Sequence, residues 1–295
     1  MQEPSESVLT ADRAASYATT IGSSDGGSSY GYTQLLASEK HLCGAIIRDE
    51  LVTLVHLTLV DISSNHLDSL AGIEALPALT VLLASNNRLT AALDFRSSGS
   101  SRLRRADLCG NQICRFSGHA ASHKLLEELL LDDNALVSLE GISAFLRLQT
   151  LSCATNRVRD AAPTANLALL RTLSLRGNDI DDVGASRLPP GLTRLDLSEN
   201  RLSGLRSLLK SLSEGGTRMR QLRLLPGNTL DDIDIGHGVC VAAVVTWGFD
   251  SLDPTVARAY RACVVRAMPW LTELDGEEND LVRLPAGTHE SSKET

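Results

Sequence analysis

Leucines and other aliphatic residues recur along the chain at fixed distances from an asparagine. The pattern is L-x-x-L-x-L-x-x-N-x-L, and its first copy runs from Leu57 to Leu67 with Asn65 as its asparagine. Seven copies keep the asparagine in register, and an eighth has Asn228 one residue late. The copies begin at Leu57, Leu79, Leu103, Leu126, Leu148, Leu170, Leu192 and Met219. Repetition at intervals of 22 to 27 residues predicts an array in which each unit stacks on its neighbours.

Each repeat unit is expected to contain a short strand followed by a turn. Because side chains alternate along a strand, the residues at the fourth and sixth positions of the pattern point inward. The strands of successive units are expected to stack in parallel, about 4.8 Å apart. The asparagine lies where the chain leaves the strand. Its amide has donors and an acceptor for backbone groups that the turn would otherwise leave buried and unpaired.

The second half of each unit has apolar residues spaced by three, which predicts 3-10 or short helical turns. Longer helix is expected only after Asn200, where leucines recur at helical spacing. These are Leu205, Leu208, Leu209 and Leu212. The sequence therefore predicts an α/β fold: a right-handed solenoid with a parallel concave sheet, short 3-10 or helical convex turns and a C-terminal cap.

Composition divides the chain into five segments. Residues 1–32 are rich in Ser, Gly, Thr and Ala, which predicts a disordered tail. The other expectations are an N-terminal cap over 33–56, about eight repeats over 57–232, a C-terminal cap over 233–284 and a polar tail over 285–295. Caps are needed because the end units of a stacked array would otherwise expose apolar surface and an unpaired strand. Within residues 228–258, residues 239–245 and Trp247 match no known template; they either extend the cap or form an extra strand.

The repeat resembles one subfamily of leucine-rich-repeat proteins. The convex half of the first copy reads Leu67-x-x-Leu70-x-Gly72-Ile73-x-x-Leu76. A 22-residue unit with this half resembles the group that contains the leucine-rich regulatory subunit of protein phosphatase-1, the spliceosomal A-prime protein and the leucine-rich dynein light chain of ciliary axonemes. Tyr260 to Gly276 resembles the C-terminal cap of this group. The resemblance covers roughly residues 50–283 and implies the fold, whereas the partner stays open.

Composition and charge narrow the class of protein. Aromatic residues make up only 3% of the chain, so aliphatic side chains must fill the core. The net charge of −8 disfavours direct binding to nucleic acid or to anionic membranes. The longest apolar run, residues 239–245, is too short to span a bilayer.

The chain shows no secretory pattern. Its first residues lack an apolar run of about 7–15 residues. The six cysteines are scattered, which favours reduced thiols. We therefore expect a cytoplasmic protein, with the cilium or flagellum and the nucleus as alternatives.

Residues that point outward from the strands are the candidates for binding, because folding does not fix their identity. The first outward position of the strands holds Leu59, Val81, Arg105, Glu128, Thr150, Thr172, Arg194 and Gln221, and we call it the first column. The second column, two residues later, holds Asp61, Leu83, Asp107, Leu130, Ser152, Ser174, Asp196 and Arg223.

Exposed apolar groups beside charges are typical of a protein interface, and arginine is a frequent contributor to binding energy. We predict a protein-binding concave face at Leu59, Asp61, Val81, Leu83, Arg105, Asp107, Glu128, Leu130, Arg176, Arg194, Asp196 and Arg223. The alternative is an ordinary solvated face, with binding through Tyr30 and Tyr32 of the tail or through Trp247.

The chain contains few candidates for chemistry. Zinc ligands are conceivable at Cys109, Cys114, His119 and His123, but the spacing matches no known short zinc site. Gly236-His237-Gly238 lacks the glycine spacing and flanking elements of a phosphate loop. Acidic pairs such as Asp132-Asp133 and Asp181-Asp182 are expected to be loop charges, and Cys153 a core side chain. We therefore predict no catalytic site, no metal and no cofactor.

The pattern and the resemblance together predict a protein-interaction scaffold or regulatory subunit with a rigid concave surface. Its partner is another protein of unknown identity. The resemblance adds a ciliary, flagellar or cytoskeletal assembly as the setting. The alternatives are a phosphatase-regulatory subunit and a subunit of a ribonucleoprotein.

Overall fold

The computed structural model describes ten stretches of the chain and the elements within them. These stretches are residue 9 and residues 11–23, 30–45, 53–95, 101–118, 122–183, 188–214, 219–234, 240–244 and 253–278. The described α-helices are α1 (Ala11–Tyr17), α2 (Leu205–Glu214) and α3 (Pro254–Ala267). Short 3-10 helices cover Ile73–Ala75, Ile142–Ala144 and Ala162–Thr164.

The described strands are short, and most belong to the repeat units. In chain order they are β1 (Ala18–Ser23), β2 (Tyr30–Leu36), β3 (Cys43–Ala45), β4 (Leu59–Asp61), β5 (His66–Ser69), β6 (Val81–Leu83), β7 (Ala91–Ala92), β8 (Arg105–Asp107), β9 (Arg115–Phe116), β10 (Glu128–Leu130), β11 (Thr150–Ser152), β12 (Thr172–Ser174), β13 (Arg194–Asp196), β14 (Gln221–Arg223), β15 (Thr229–Asp234), β16 (Cys240–Val244), β17 (Glu273–Leu274) and β18 (Glu277–Glu278).

One long sheet runs through the described part of the molecule in the order β1-β2-β4-β6-β8-β10-β11-β12-β13-β14-β17-β18. Neighbours from β2 to β17 pair in parallel, while β1 and β18 close the two ends in antiparallel orientation. Eight of these strands, β4 to β14, come one from each predicted repeat. The predicted solenoid, with its parallel sheet, short convex turns and C-terminal cap, is confirmed.

The core forms because the middle residue of each repeat strand points inward. Val60, Leu82, Leu129 and Leu151 in these positions have no exposed surface. The residues on either side of them are partly or fully exposed, in keeping with a period of two. Cys153, predicted to be a core side chain, is also fully buried, so that prediction is confirmed.

The asparagine of each unit joins two successive units by hydrogen bonds. In Asn156, Oδ1 accepts from the backbone N–H of Leu136 at 2.9 Å, and Nδ2 donates to the carbonyl oxygens of Leu131 at 2.9 Å and Cys153 at 3.2 Å. The same three bonds recur at every asparagine of the pattern, and we call the series the asparagine ladder. Its members are Asn65, Asn87, Asn111, Asn134, Asn156, Asn178, Asn200 and Asn228.

The asparagine that comes late in the eighth copy takes the same place as the others. Asn228 accepts from the N–H of Leu202 at 2.9 Å and donates to the carbonyl of Leu197 at 2.8 Å. The additional residue lies in the turn between Leu224 and Asn228, where Gly227 has a φ of +90°. The predicted role of the asparagine is confirmed in every copy of the pattern.

The amino-terminal segment differs from the expectation. Composition predicted a disordered tail over residues 1–32, whereas its described parts form α1, β1 and the first residues of β2. Leu9 and Ala14 are buried in the core, and Leu35 on β2 pairs in register with Val60 on β4. The described parts of the segment are ordered because these few apolar residues join the core at the first repeat, which would otherwise expose its inner surface.

Helix α2 occurs where helical spacing of leucines predicted it. Leu205, Leu208, Leu209 and Leu212 are all buried in the core, which confirms that expectation. Within the unmatched segment, β15 and β16 form an antiparallel pair. Gly236-His237-Gly238 and Trp247 lie outside the described residues. Every described helix is too short or too polar to cross a membrane.

The C-terminal cap begins at Asp253, whose carboxylate accepts hydrogen bonds from the N–H groups of Thr255 and Val256 and so starts α3. The Tyr260 side chain of this helix is buried, and its hydroxyl donates to Oδ2 of Asp275 at 2.7 Å. Burial raises the pKa of the Asp275 carboxyl, although the N–H of Leu224 also donates to it at 2.7 Å. This network fixes β17 against the last repeat strand, β14.

Replacing Asn156 with alanine tests the asparagine ladder. The change leaves the N–H of Leu136 and the carbonyl of Leu131 buried without this partner. We therefore expect the free energy of unfolding, measured by urea denaturation, to fall by about 2 to 4 kcal/mol. The matched control is Asn166→Ala, because Asn166 is exposed and outside the ladder. Equal loss of stability in the two variants would contradict the role given to the ladder.

Candidate protein-interaction surface

The outward residues of the sheet form two continuous columns because the strands pair in register. Leu59 lies beside Val81, which lies beside Arg105, and the same holds for Asp61, Leu83 and Asp107 in the second column. This pairing continues through β14. The structure thus brings together on one face eleven of the twelve residues predicted for binding. The twelfth, Arg176, lies two residues beyond strand β12 and is exposed.

Strands β1 and β2 extend the face beyond its predicted limit. Gln34 pairs with Leu59 and Leu36 with Asp61, so these two residues continue the columns. Tyr32, two residues before Gln34, lies on the same side of β2, and Ile21 is its partner on β1. The side chains of Ile21, Tyr32 and Leu36 are 69%, 38% and 42% exposed.

Sequence reasoning did not place these three residues on the concave face. Tyr32 was placed in the tail, as an alternative to the concave face, and the sheet now includes it. The available signal lay in Tyr30-Gly31-Tyr32-Thr33-Gln34-Leu35-Leu36, where Tyr30, Tyr32, Gln34 and Leu36 occupy every second position. The Ser and Gly content of the preceding residues obscured it.

The arginines of the face have partners among neighbouring side chains. Arg105 pairs with Glu128 at 2.8 Å, Arg176 with Glu199 at 2.6 Å and Arg223 with Glu273 at 3.5 Å. The Glu199 carboxylate raises the pKa of Arg176. Arg194 donates from Nε to the hydroxyl of Thr172 at 3.0 Å.

The carboxyl-terminal half of the face pairs two of its arginines, Arg176 and Arg223, with acids. It is a nearly balanced polar surface around a shallow cavity of about 290 Å³ between β12 and β17. Exposed ion pairs of this kind each contribute at most about 1 kcal/mol to the stability of the fold. Their main effect is therefore on the charge that the surface presents.

The amino-terminal half of the face has a different charge pattern. Oδ1 of Asp61 accepts from the N–H of Ser63 at 3.0 Å, and Oδ1 of Asp107 from that of Cys109 at 3.2 Å. Oδ1 of Asp132 accepts from the hydroxyl of Ser152 and the N–H of Ala154. Among the residues that the structure describes, none of these three carboxylates has an ion-pair partner. This half therefore combines apolar side chains with uncompensated negative charge.

The candidate zinc ligands are occupied by other contacts where they are described. His123 is buried, with Nδ1 3.0 Å from the hydroxyl of Ser101 and Nε2 3.3 Å from the carbonyl oxygen of Phe95. Cys114 is exposed, with its thiol 3.5 Å from the carbonyl of Thr90. His119 lies outside the described residues. Within those described, no group of three or more His, Cys, Asp or Glu side chains is arranged to hold a metal ion.

The two acidic pairs have different surroundings in the described structure. Asp132 accepts hydrogen bonds from Ser152 and Ala154, as given above, whereas Asp181 and Asp182 are exposed and lie outside any helix or strand. Burial and the neighbouring Asp107 carboxylate raise the pKa of the Cys109 thiol to about 12. A thiol with so high a pKa is a poor nucleophile at neutral pH.

Comparison with known proteins identifies the repeat. Sequence models of the Leucine Rich Repeat family match residues 166–188 and 191–212. The chain is 29% identical to human leucine-rich repeat-containing protein 23 over 226 residues, which are 68% of this chain and 64% of that protein, just under two thirds of its length. It is 28% identical over 170 residues to the Arabidopsis thaliana protein phosphatase 1 regulatory inhibitor subunit PPP1R7 homolog, covering 56% of this chain and 50% of that one.

A solved structure supports the fold. The internalin inlF of Listeria monocytogenes superposes with a TM-score of 0.55, at 18% identity, over 76% of this chain and 69% of its own. At that identity the likeness concerns the solenoid and carries nothing about binding.

Thiol labelling tests the placement of the cysteines. At neutral pH we expect N-ethylmaleimide to modify the exposed Cys114 first and the half-buried Cys109 slowly, because its raised pKa leaves little thiolate. Cys153, fully buried, should react only after unfolding. Peptide mapping by mass spectrometry over time measures the three rates, with the urea-unfolded chain as the control. Equal rates at Cys114 and Cys153 in the folded chain would contradict the register.

Proposed function

Because the chain is a leucine-rich-repeat protein similar to the group of the protein phosphatase 1 regulatory subunit, we propose that it is a non-catalytic interaction scaffold that binds another protein through its concave face. The observation that carries this proposal is the pair of columns of partly exposed side chains on one continuous, in-register sheet. Folding depends on the residues between these columns, so the columns are free to serve recognition.

Rigid presentation is the proposed mechanism. Successive units are joined by strand pairing and by the asparagine ladder, so the face is formed before a partner arrives. A preformed surface loses little conformational entropy on binding, which favours affinity. The scattered cysteines, five of which are free thiols where described, support a reducing compartment and hence the cytoplasm.

Regulation of a phosphatase is the second candidate. It is favoured by the similarity to the Arabidopsis thaliana protein whose name describes a phosphatase 1 regulatory inhibitor subunit. The proposals of a ciliary or cytoskeletal assembly and of a ribonucleoprotein rest only on the resemblance of the repeat to the axonemal and spliceosomal members of the group.

Affinity capture from cells of origin tests the proposal. The bait is the native chain beside a variant with Arg105→Glu, Arg176→Glu and Arg194→Glu. The matched control carries Arg147→Glu, Arg157→Glu and Arg159→Glu, which make the same charge change at exposed positions outside the strands. We expect a partner that binds the native chain and the control alike but binds the concave variant with altered affinity, because three charges are reversed on the face that the proposal assigns to binding.

The identity and pattern of the captured proteins decide between the candidates. A phosphatase catalytic subunit whose activity changes on adding the purified chain would favour the regulatory role. Capture that is the same for all three baits would contradict binding through the concave face. Circular dichroism of each bait confirms that the substitutions leave the fold intact.

A further inference from the structure

The amino-terminal end of the concave face carries a group of exposed and partly exposed apolar side chains on four strands, interrupted by Gln34 and Asp61. It consists of Ile21, Tyr32, Leu36, Leu59, Val81 and Leu83, and we call it the N-terminal apolar patch. Strand pairing makes these residues neighbours: Ile21 with Tyr32 between β1 and β2, and Leu59 with Val81 between β4 and β6. Leu36 continues the second column toward Leu83, with Asp61 between them.

The fold does not account for this patch. The inward residues of the same strands, Leu35, Val60 and Leu82, are fully buried and form the core. The equivalent outward positions on β11 and β12 hold Thr150, Ser152, Thr172 and Ser174. Small polar residues are thus sufficient for a solvated face of this solenoid, and the large apolar groups on β1 to β6 lack a structural role. Exposed apolar surface bordered by charge is typical of a binding site.

The charge around the patch indicates what binds there. Asp61 lies within it, Asp107 borders it on β8, and Asp132 lies beyond β10. None of the three has an ion-pair partner among the described residues, as shown above. Three positive side chains in this part of the described structure have other contacts: Arg104 pairs with Glu127 and Arg105 with Glu128, while the ammonium of Lys40 lies 5.6 Å from the centre of the Tyr17 ring.

We infer that the N-terminal apolar patch is the anchoring site for a partner segment with a large aliphatic or aromatic side chain flanked by lysine or arginine. The apolar side chain would pack against Tyr32, Leu36 and Leu83, and the basic groups would pair with Asp61 and Asp107. This inference rests on the proposed function and specifies its site and the chemistry of its partner. Tyr32 supplies the aromatic anchor that the repeat strands alone lack.

Selection of random peptides displayed on phage, with the full chain as target, tests the inference. We expect enrichment of peptides that combine Leu, Phe, Tyr or Trp with neighbouring Lys or Arg. The affinity of a synthesised enriched peptide is then measured by fluorescence anisotropy. A variant with Tyr32→Ser, Leu36→Ser and Leu83→Ser should bind about tenfold more weakly or worse, since central apolar contacts supply most of the binding energy.

Two further variants make the test specific. The variant with Asp61→Asn and Asp107→Asn keeps the side-chain oxygen that accepts the backbone N–H but removes the negative charge. We expect this variant to bind the peptide more weakly, and its affinity to depend less on salt concentration. The matched control, Val137→Ser with Leu146→Ser and Leu169→Ser, removes exposed apolar groups outside the strands and should bind as the native chain does.

The remaining outcomes overturn the inference in distinguishable ways. Enriched peptides that are acidic, or no enrichment at all, would exclude the proposed partner chemistry. Binding that survives in the patch variant but is lost with Arg194→Glu would move the site to the carboxyl-terminal half, and the proposed function would stand. Binding unaffected by every concave variant would overturn both. A dimer of the native chain that dissociates in the patch variant, seen by light scattering, would identify a second copy as the occupant instead.

Discussion

The structure depends on the hydrogen bonds that each ladder asparagine makes between successive repeat units. A chain that turns away from a buried strand leaves backbone N–H and carbonyl groups inside the molecule, and each unpaired group is costly. The asparagine amide satisfies both kinds at once, on its own unit and on the preceding one. The ladder therefore fixes the spacing of the strands, and the parallel register and the two outward columns follow from that spacing.

The asparagine ladder and the inward leucines stabilise the fold, so folding does not fix which residues occupy the outward columns. The two halves of the concave face differ in chemistry. The carboxyl-terminal half is polar, and its Arg176 and Arg223 are paired with acids on neighbouring strands and turns. The amino-terminal half is apolar, with aspartates that have no described cation partner. A single rigid scaffold thus presents two surfaces of different chemistry, and the contrast is the basis for locating the proposed binding site.

Much of this could be predicted from the sequence, since the repeat specifies it locally. The asparagines in register predicted where the chain turns, and the alternation of residues predicted which side chains point inward and outward. The spacing of the leucines predicted helix α2. The antiparallel pairing of β1 with β2 was missed because its stability comes from covering the first repeat, which a Ser- and Gly-rich composition does not reveal. The pairing of Arg176 with Glu199 was also missed, because the two residues are 23 positions apart and meet only through the stacking of units.

The central claim is that the concave face, and its amino-terminal end above all, is where the partner binds. Hydroxyl-radical footprinting of the chain alone and in complex with a captured partner tests it most directly, because side-chain oxidation reports exposure at each residue. We expect Ile21, Tyr32 and Leu36 to be shielded in the complex while Leu146 and Trp270, exposed elsewhere, react as before. Shielding of Leu146 or Trp270 with unchanged oxidation of Tyr32 and Leu36 would contradict the account.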